Sequence, residues 1–273
     1  MAIEEGFFSA SDGEQLFYRF QADSSRETPL ILIHGHGEHS GRYLKFFDRL
    51  ASLRLPIATF DLRGCGRSGG LPVYVSDFNE YLSDISSFLK FLEERHNIRG
   101  AVYLFGHSLG GLIATAWASK NNGRISKLIL SSPLFGIPLA GTVKALVGLL
   151  DPLIPRWVVR NPVRVQLLTH DPGEAEKYLS DPLIRRSITV RLVHEMIKYG
   201  AFFIKQETEF PFPVYILMAE DDFIVNRNAT LLFFQRLKSP EKKLEGFPGF
   251  FHEIFNERGQ ERAFERLRYY LTK

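Results

Sequence analysis

Residues 101–111 read AVYLFGHSLGG, and this stretch decides the fold. A short apolar run, typical of a buried strand, leads into GHSLG (106–110), which matches G-x-S-x-G, and a helical pattern follows. The turn in this motif is so sharp that the serine takes a strained backbone conformation, and glycine at both flanks relieves the collision of neighbouring side chains. The stretch therefore predicts Ser108 as a nucleophile. The alternative is a Gly-Ser turn without chemistry.

The rest of the chain alternates short apolar runs with helical patterns, which is typical of a parallel sheet covered by helices. Two runs around the turn SDG (11–13) read as an opening hairpin. Further strands are predicted at residues 29–34, 56–61, 101–105, 127–131, 214–218 and 243–247. Helices are predicted at residues 43–54, 77–95, 109–120, 226–238 and 257–271.

This regularity stops between residues 133 and 212. The segment contains several prolines and patterns for short helices, and no convincing strand. We therefore predict an α/β-hydrolase fold, with a mostly parallel central sheet flanked by helices and an inserted helical cap. Residues 1–132 and 213–273 are assigned to the core, and residues 133–212 are assigned to the cap insertion.

A serine hydroxyl needs a base that takes its proton, and the base needs a third group that holds its tautomer. In this fold the nucleophile, the acid and the base follow one another along the chain in that order. His252 is the only histidine beyond His194, and it lies in a loop after the last predicted strand. An acidic cluster, EDD at 220–222, also follows a predicted strand. We assign Asp222 as the acid because the Phe-Ile-Val step after it would pack the loop against the core, and Asp221 stays open as the alternative.

The loop after the first buried strand reads HGHG (34–37). In this fold one oxyanion N–H comes from this loop, and the other comes from the residue after the nucleophile. We therefore predict the backbone N–H groups of His36 and Leu109 as the oxyanion donors. A zinc site on His34, His36 and His39 is the alternative use of these side chains. No matching cluster of acidic residues or cysteines accompanies them, so we expect no metal and no cofactor.

Two further reactive side chains are expected to be structural. His107 is adjacent to the nucleophile, but neighbours on a turn point apart, which favours a packed or hydrogen-bonded histidine. Cys65 lies in a glycine-rich loop with no histidine placed to activate it, which favours a structural thiol.

The composition is that of an ordinary globular protein, with 273 residues, 45% of them hydrophobic and 24% charged. The net charge of +3 is too small to predict a nucleic-acid partner. A single cysteine cannot form an internal disulfide, and the first residues, MAIEEG, are acidic with no apolar stretch after them. We therefore expect a cytoplasmic protein. The sequence carries no signal for its oligomeric state.

The predicted cap combines an apolar face with a basic rim. Between residues 140 and 169, four basic residues stand against one acidic residue, and Trp157 lies among leucines and valines. Such a composition suits a surface that contacts lipid, which predicts peripheral binding to a membrane through the cap. The alternative is a cap helix that packs on the core. The basic residues are Lys144, Arg156, Arg160 and Arg164.

Seven stretches of the chain resemble one protein family. They are HGHGEHSGRY (34–43), DLRGCGRSGG (61–70), VSDFNEYLSDI (75–85), GHSLGG (106–111), SSPL (131–134), SDPLIRR (180–186) and EDDFIV (220–225). With them the chain resembles the monoacylglycerol lipase and lysophospholipase group of α/β-hydrolases, which is also similar to the serine aminopeptidases. GEHSGRY and SDPLI are the stretches most specific to this group.

The resemblance implies that the nucleophile, the acid and the base fall on Ser108, Asp222 and His252, and the oxyanion donors on His36 and Leu109. Members of the group often have alanine at the position of His36. We therefore expect hydrolysis of a lipid-like carboxylic ester with a single medium or long acyl chain, above all a monoacylglycerol, through an acyl-enzyme. A lysophospholipase, a peptidase of the aminopeptidase branch and a non-catalytic binding protein are the alternatives.

Overall fold

The computed structural model describes residues 2–23, 28–161 and 163–273. The strands in these ranges are β1 (Glu4–Ser9), β2 (Gln15–Gln21), β3 (Leu30–Ile33), β4 (Ile57–Phe60), β5 (Val102–His107), β6 (Ile125–Ser131), β7 (Val158–Arg160), β8 (Ser187–Thr189), β9 (Thr208–Glu209), β10 (Val214–Ala219), β11 (Leu237–Lys238) and β12 (Lys242–Phe247). The helices are α1 (Leu44–Arg49), α2 (Asn79–His96), α3 (Leu109–Lys120), α4 (Gly141–Leu150), α5 (Pro172–Ser180), α6 (Val190–Lys205), α7 (Arg227–Arg236) and α8 (Glu261–Thr272).

Eight of the strands form one sheet in the order β1-β2-β4-β3-β5-β6-β10-β12. The first two pairs, β1 with β2 and β2 with β4, are antiparallel, and the remaining pairs in this sheet are parallel. β3 and β4 are buried along their whole length, which explains why they read as continuous apolar runs. The predicted opening hairpin and the mostly parallel sheet are confirmed.

Helices cover both faces of the sheet. Because strand side chains alternate between faces, Leu30 and Leu32 of β3 face the layer that contains α1 and α8, whereas Ile31 and Ile33 face the layer that contains α2 and α3. Parallel strands end at the same edge of a sheet, so the loops that follow β3, β5, β10 and β12 come together there. These loops carry the residues predicted to be functional.

Residues 133–212 lie between β6 and β10, which are neighbours in the sheet. They contain α4, α5 and α6, and also β7 paired antiparallel with β8 and β9 paired with β11. The expectation of no strand in this segment is wrong, because these strands have only two or three residues and are too short to show a two-residue period. We propose that residues 133–212 act as one cap on the core.

The turn after β5 requires glycine at two positions. A Cβ atom on Gly106 would lie 2.3 Å from the carbonyl oxygen of Gly110, and a Cβ atom on Gly110 would lie 2.2 Å from the carbonyl oxygen of Ile33. Both distances are far below a van der Waals contact, so α3 can approach β3 and β5 this closely only without side chains there. The motif glycines therefore fix the helix that begins beside Ser108.

We predict that Gly110→Ala lowers the free energy of unfolding by about 1–3 kcal/mol, because the added methyl group overpacks the contact with β3. Urea denaturation measures the change. Gly123→Ala is the matched control, since a Cβ atom at Gly123 meets no atom within 4 Å, and its effect should stay below about 0.5 kcal/mol. Equal stability of the two variants would contradict the close packing of α3.

Candidate active site

Ser108 stands at the turn between β5 and α3. Its backbone angles, φ 53° and ψ −118°, belong to a region that residues other than glycine rarely adopt. The Ser108 N–H donates to the carbonyl oxygen of Ser131 over 2.9 Å, which ties the turn to the end of β6. The residue is 6% exposed, and it lines a cavity at this edge of the sheet.

The cavity has a volume of about 250 Å³, and His252 and His36 line it together with Ser108. Most of its remaining wall is apolar. The apolar lining residues are Leu134, Ile137, Pro138, Leu139, Val163, Leu167, Leu168, Ile188, Val193, Met196, Phe223 and Ile224. All of these except Phe223 and Ile224 come from residues 133–212, so the predicted cap supplies most of the apolar wall.

The loops after β10 and β12 bring Asp222 and His252 together. Nδ1 of His252 lies 2.7 Å from Oδ2 of Asp222, and both side chains are buried. The other carboxylate oxygen of Asp222 accepts the N–H groups of Ile224 and Val225 at 2.8 and 3.0 Å. Asp221 is exposed. The structure therefore places Asp222, rather than Asp221, against the histidine.

His252 and Asp222 each stabilise the charged form of the other. Burial alone would lower the pKa of His252, but the charge and the hydrogen bond of Asp222 raise it above its ordinary value. Burial would likewise raise the pKa of Asp222, and His252 together with the two loop N–H groups lowers it instead. A carboxylate held on Nδ1 leaves Nε2 as the nitrogen that can accept a proton.

The loop after β3 is fixed by hydrogen bonds on both sides of His36. The N–H of Gly35 donates to Oε1 of Glu38 over 2.5 Å, and the carbonyl oxygen of Gly37 accepts the N–H of Arg185 over 2.7 Å. Leu109 is the first residue of α3, where helix N–H groups have no acceptor within the helix. The structure thus places the two predicted oxyanion donors beside the cavity and next to Ser108, and their role stays a prediction.

Sequence reasoning missed a buried charged cluster in the cavity wall. Arg42 donates to Glu38 over 2.8 Å and to both carboxylate oxygens of Glu253 over 2.7 and 2.6 Å. Burial opposes ionisation of Glu38, but the charge of Arg42, together with the neighbouring histidines and the Gly35 N–H, outweighs it and lowers the pKa of Glu38. Glu38 lies outside the helices of the described residues, so the four-residue helix spacing that predicts ion pairs does not apply to Glu38 and Arg42. No local sequence pattern predicts that Glu253, which directly follows His252, belongs to this cluster.

The other histidines near the site have separate partners. Nε2 of His34 accepts the N–H of Leu62, and Nε2 of His39 lies 2.8 Å from Asp181. Nδ1 of His107 lies 3.1 Å from Oγ of Ser131, and burial, followed by the charge of His252, lowers the pKa of His107 to about 4. Burial raises the pKa of Cys65 to about 12, so its thiol stays protonated.

The fold and the site define an α/β-hydrolase. The chain belongs to the serine aminopeptidase, S33 family (Hydrolase_4), which it matches over residues 24–259. The crystal structure of the monoacylglycerol lipase of Paleococcus ferrophilus superposes on it with a TM-score of 0.82 and 26% sequence identity, over 99% of this chain and 98% of that one. The predicted fold is confirmed.

Two curated relatives align over nearly the whole chain. The uncharacterized protein YnbC of Escherichia coli is 29% identical over 98% of this chain and 47% of its own length, so the chain spans about half of that protein. The monoacylglycerol lipase of Mycolicibacterium smegmatis is 27% identical over 93% of this chain and 91% of its own length. These matches confirm the predicted resemblance and the predicted enzyme class, a carboxylic ester hydrolase similar to monoacylglycerol lipases.

We predict that the acidic limb of kcat/KM has its midpoint above pH 6.5, the ordinary pKa of histidine, because His252 must be neutral to accept a proton and Asp222 raises its pKa. Asp222→Asn should lower the pKa of His252, since the carboxylate that opposes the effect of burial most strongly is then lost. The same change should reduce kcat on the order of 10⁴-fold.

NMR titration of the imidazole in a Ser108→Ala background measures the pKa shift, and ester hydrolysis with Ser108 present measures the rate. Asp221→Asn is the control, and it should leave both quantities near the wild-type values. Comparable losses in the two variants, or a larger loss at Asp221, would overturn the assignment of Asp222.

Proposed function

We propose that this chain hydrolyses a carboxylic ester with a single medium or long acyl chain, with a monoacylglycerol as substrate and fatty acid and glycerol as products. The observation that carries the proposal is one cavity that holds Ser108, His252, an apolar wall and a buried charged cluster. An acyl chain fits the apolar wall, and a hydroxylated alcohol fits the charged cluster.

In the proposed mechanism, Oγ of Ser108 attacks the ester carbonyl carbon while Nε2 of His252 accepts the hydroxyl proton. The N–H groups of His36 and Leu109 stabilise the negative charge that develops on the carbonyl oxygen. His252 then passes its proton to the leaving alcohol, and an acyl-enzyme on Ser108 remains. Water, deprotonated by His252, releases the fatty acid, and Asp222 stabilises the imidazolium in both steps.

The charged cluster favours a neutral, hydroxyl-bearing alcohol. Glu38 and Glu253 carry two negative charges against the single positive charge of Arg42, whose guanidinium also lies 5.0 Å from the ring centre of Tyr178. The buried part of the wall thus carries one net negative charge, which disfavours a phosphodiester placed against it, whereas Arg164, which also lines the cavity, is exposed. The carboxylate oxygens of Glu38 and Glu253 can accept hydrogen bonds from glycerol hydroxyls, which carry no charge to be repelled.

A peptidase of the aminopeptidase branch needs free carboxylates that hold a substrate ammonium group. Glu38 and Glu253 do not supply them, because Arg42 occupies both. Among the described residues of 133–212, none of those that line the cavity is an aspartate or a glutamate. This lining supports an ester rather than an aminoacyl substrate.

The outer surface of the proposed cap exposes large apolar side chains. Leu149 is 69% exposed, Leu153 is 75% exposed and Trp157 is 55% exposed. Arg156 and Arg160 are exposed beside them. No helix in the described part of the chain is long and apolar enough to cross a membrane. We therefore propose peripheral contact with a lipid surface through this face, with a cytoplasmic location.

Ser108→Ala should leave the fold intact, because the motif glycines remain, and should reduce ester hydrolysis on the order of 10⁴-fold or more. A fluorophosphonate probe should label the wild type and not the variant. Retention of a tenth of the wild-type rate would contradict the proposed nucleophile, and absence of labelling in the wild type would favour a non-catalytic binding protein.

A substrate panel tests the substrate class. We expect the highest kcat/KM for monoacylglycerols with medium or long chains. Lower values are expected for lysophosphatidylcholine, whose phosphate the net negative cluster disfavours, and for aminoacyl amides, whose ammonium group finds no free carboxylate because Arg42 binds Glu38 and Glu253. A higher value for either rival would replace the monoacylglycerol assignment with that substrate.

Trp157→Ser should weaken binding to anionic vesicles about 10- to 100-fold, since a large apolar side chain that enters the interface contributes about 1.5–3 kcal/mol. Hydrolysis of monoacylglycerol dispersed in those vesicles should fall, and hydrolysis of a soluble short-chain nitrophenyl ester should not. Tyr269→Ser is the matched control, because Tyr269 is an aromatic residue of similar exposure, 48%, on α8. Equal behaviour of both variants on vesicles would contradict the lipid-facing surface.

A further inference from the structure

The two stretches most specific to the family, GEHSGRY and SDPLI, are in contact in the structure. Three hydrogen bonds join residues 36–39 of the loop after β3 to residues 181–187 of the proposed cap. We call residues 181–187 the clasp. Nε2 of His36 lies 3.0 Å from the carbonyl oxygen of Ser187. The Arg185 N–H donates to the carbonyl oxygen of Gly37 over 2.7 Å, and Nε2 of His39 lies 2.8 Å from Oδ2 of Asp181.

The direction of the two histidine bonds follows from their partners. The carbonyl oxygen of Ser187 can only accept, so Nε2 of His36 carries its proton. The N–H of Gly41 donates to Nδ1 of His39 over 3.2 Å, so Nε2 of His39 is the protonated nitrogen and donates to Asp181. Each hydrogen bond between the clasp and the loop after β3 therefore joins a donor to an acceptor.

Gly37 shows how closely the clasp approaches the loop. Its φ is +70°, and a Cβ atom there would lie 2.3 Å from the carbonyl oxygen of Arg185. Glycine is thus required at this position both for its left-handed backbone and for the approach of the clasp. Because Gly37 directly follows His36, the clasp acts on the peptide unit beside the proposed oxyanion donor.

We propose that the clasp positions the oxyanion hole, with Asp181 and the imidazole of His36 as positioning residues that hold the His36 N–H at the reacting carbonyl. This inference rests on the proposed function of Ser108. An oxyanion donor acts only when its direction is fixed before the reaction, and a misplacement of about 1 Å can cost on the order of 10²-fold in rate. Glu38 holds the loop from the core side through Gly35, and the clasp holds it from the cap side.

Asp181→Asn tests the proposal with little change in shape. Oδ1 of Asp181 accepts the N–H of Leu183 over 2.8 Å. An asparagine that keeps this bond turns its NH2 group toward the protonated Nε2 of His39, and the contact is lost. We expect kcat to fall about tenfold with KM within about twofold of wild type. Binding of an alkylboronic acid, which forms a tetrahedral adduct on Ser108, should weaken by a similar factor.

Glu176→Gln is the matched control, since it also removes one carboxylate charge, from an exposed position on α5. It should keep the wild-type kcat and boronic acid affinity. Hydrogen exchange of residues 34–43 should accelerate in Asp181→Asn and not in the control. His36→Ala removes the hydrogen bond to the carbonyl oxygen of Ser187 and keeps the backbone N–H of residue 36. The double variant with Asp181→Asn should lose less than the product of the two single losses, because the His36–Ser187 and His39–Asp181 bonds hold the same loop to the same segment.

The outcomes separate the two proposals. A wild-type protein that neither hydrolyses esters nor reacts with a fluorophosphonate would refute the function of Ser108 itself. An active wild type with Asp181→Asn equal to Glu176→Gln in kcat and boronic acid affinity would refute the clasp. A raised KM with unchanged kcat would also refute it, since that result would mean that Asp181 shapes the pocket instead.

Discussion

The structure depends on one strained residue. Ser108 has a positive φ, which costs of order 1–3 kcal/mol for a residue with a side chain. Two contacts offset this cost. Gly110 allows α3 to pack closely against β3, and the Ser108 N–H donates to the carbonyl oxygen of Ser131 at the end of β6. The turn in return places the serine at the edge where the loops after β3, β10 and β12 meet. The cavity, the acid–base pair and the proposed oxyanion loop are all arranged around this point.

The parts of the fold and site that the sequence predicts are those with a local pattern. The apolar runs of the parallel strands, the GHSLG turn and the order serine–acid–histidine each lie within a few residues or follow a chain-order rule, and the contact of Asp222 with His252 agrees with that reading. The pairing of Arg42 with Glu253 has no such pattern, since 211 residues separate the two. The same holds for His39 and Asp181, and for the three-residue strands β7 and β8.

The charged cluster links the proposed substrate preference to the proposed catalysis. Removing Arg42 and two carboxylates from water is costly, and a buried ion pair by itself seldom stabilises a fold. In this cluster Glu38 accepts the N–H of Gly35, and Glu253 directly follows His252. Both carboxylates also contribute to the raised pKa of His252, after Asp222. A buried negative wall thus stabilises the imidazolium that forms in each proton transfer, so a site that suits a neutral alcohol also suits the base.

The proposed cap has two tasks that place opposite demands on it. A face that meets lipid must leave apolar side chains such as Leu153 in water, which gives that part of the chain little packing on the core. An oxyanion loop must be held rigidly. The structure divides these tasks along the segment. The exposed apolar side chains concentrate from α4 to β7. Bonds to the loops of the proposed site come from other residues, among them 181–187, Leu134, whose N–H donates to the Ser108 carbonyl oxygen, and Leu168, whose carbonyl oxygen accepts the Glu253 N–H. The proposed lipid contact therefore involves residues other than those that hold the loops needed for the proposed chemistry.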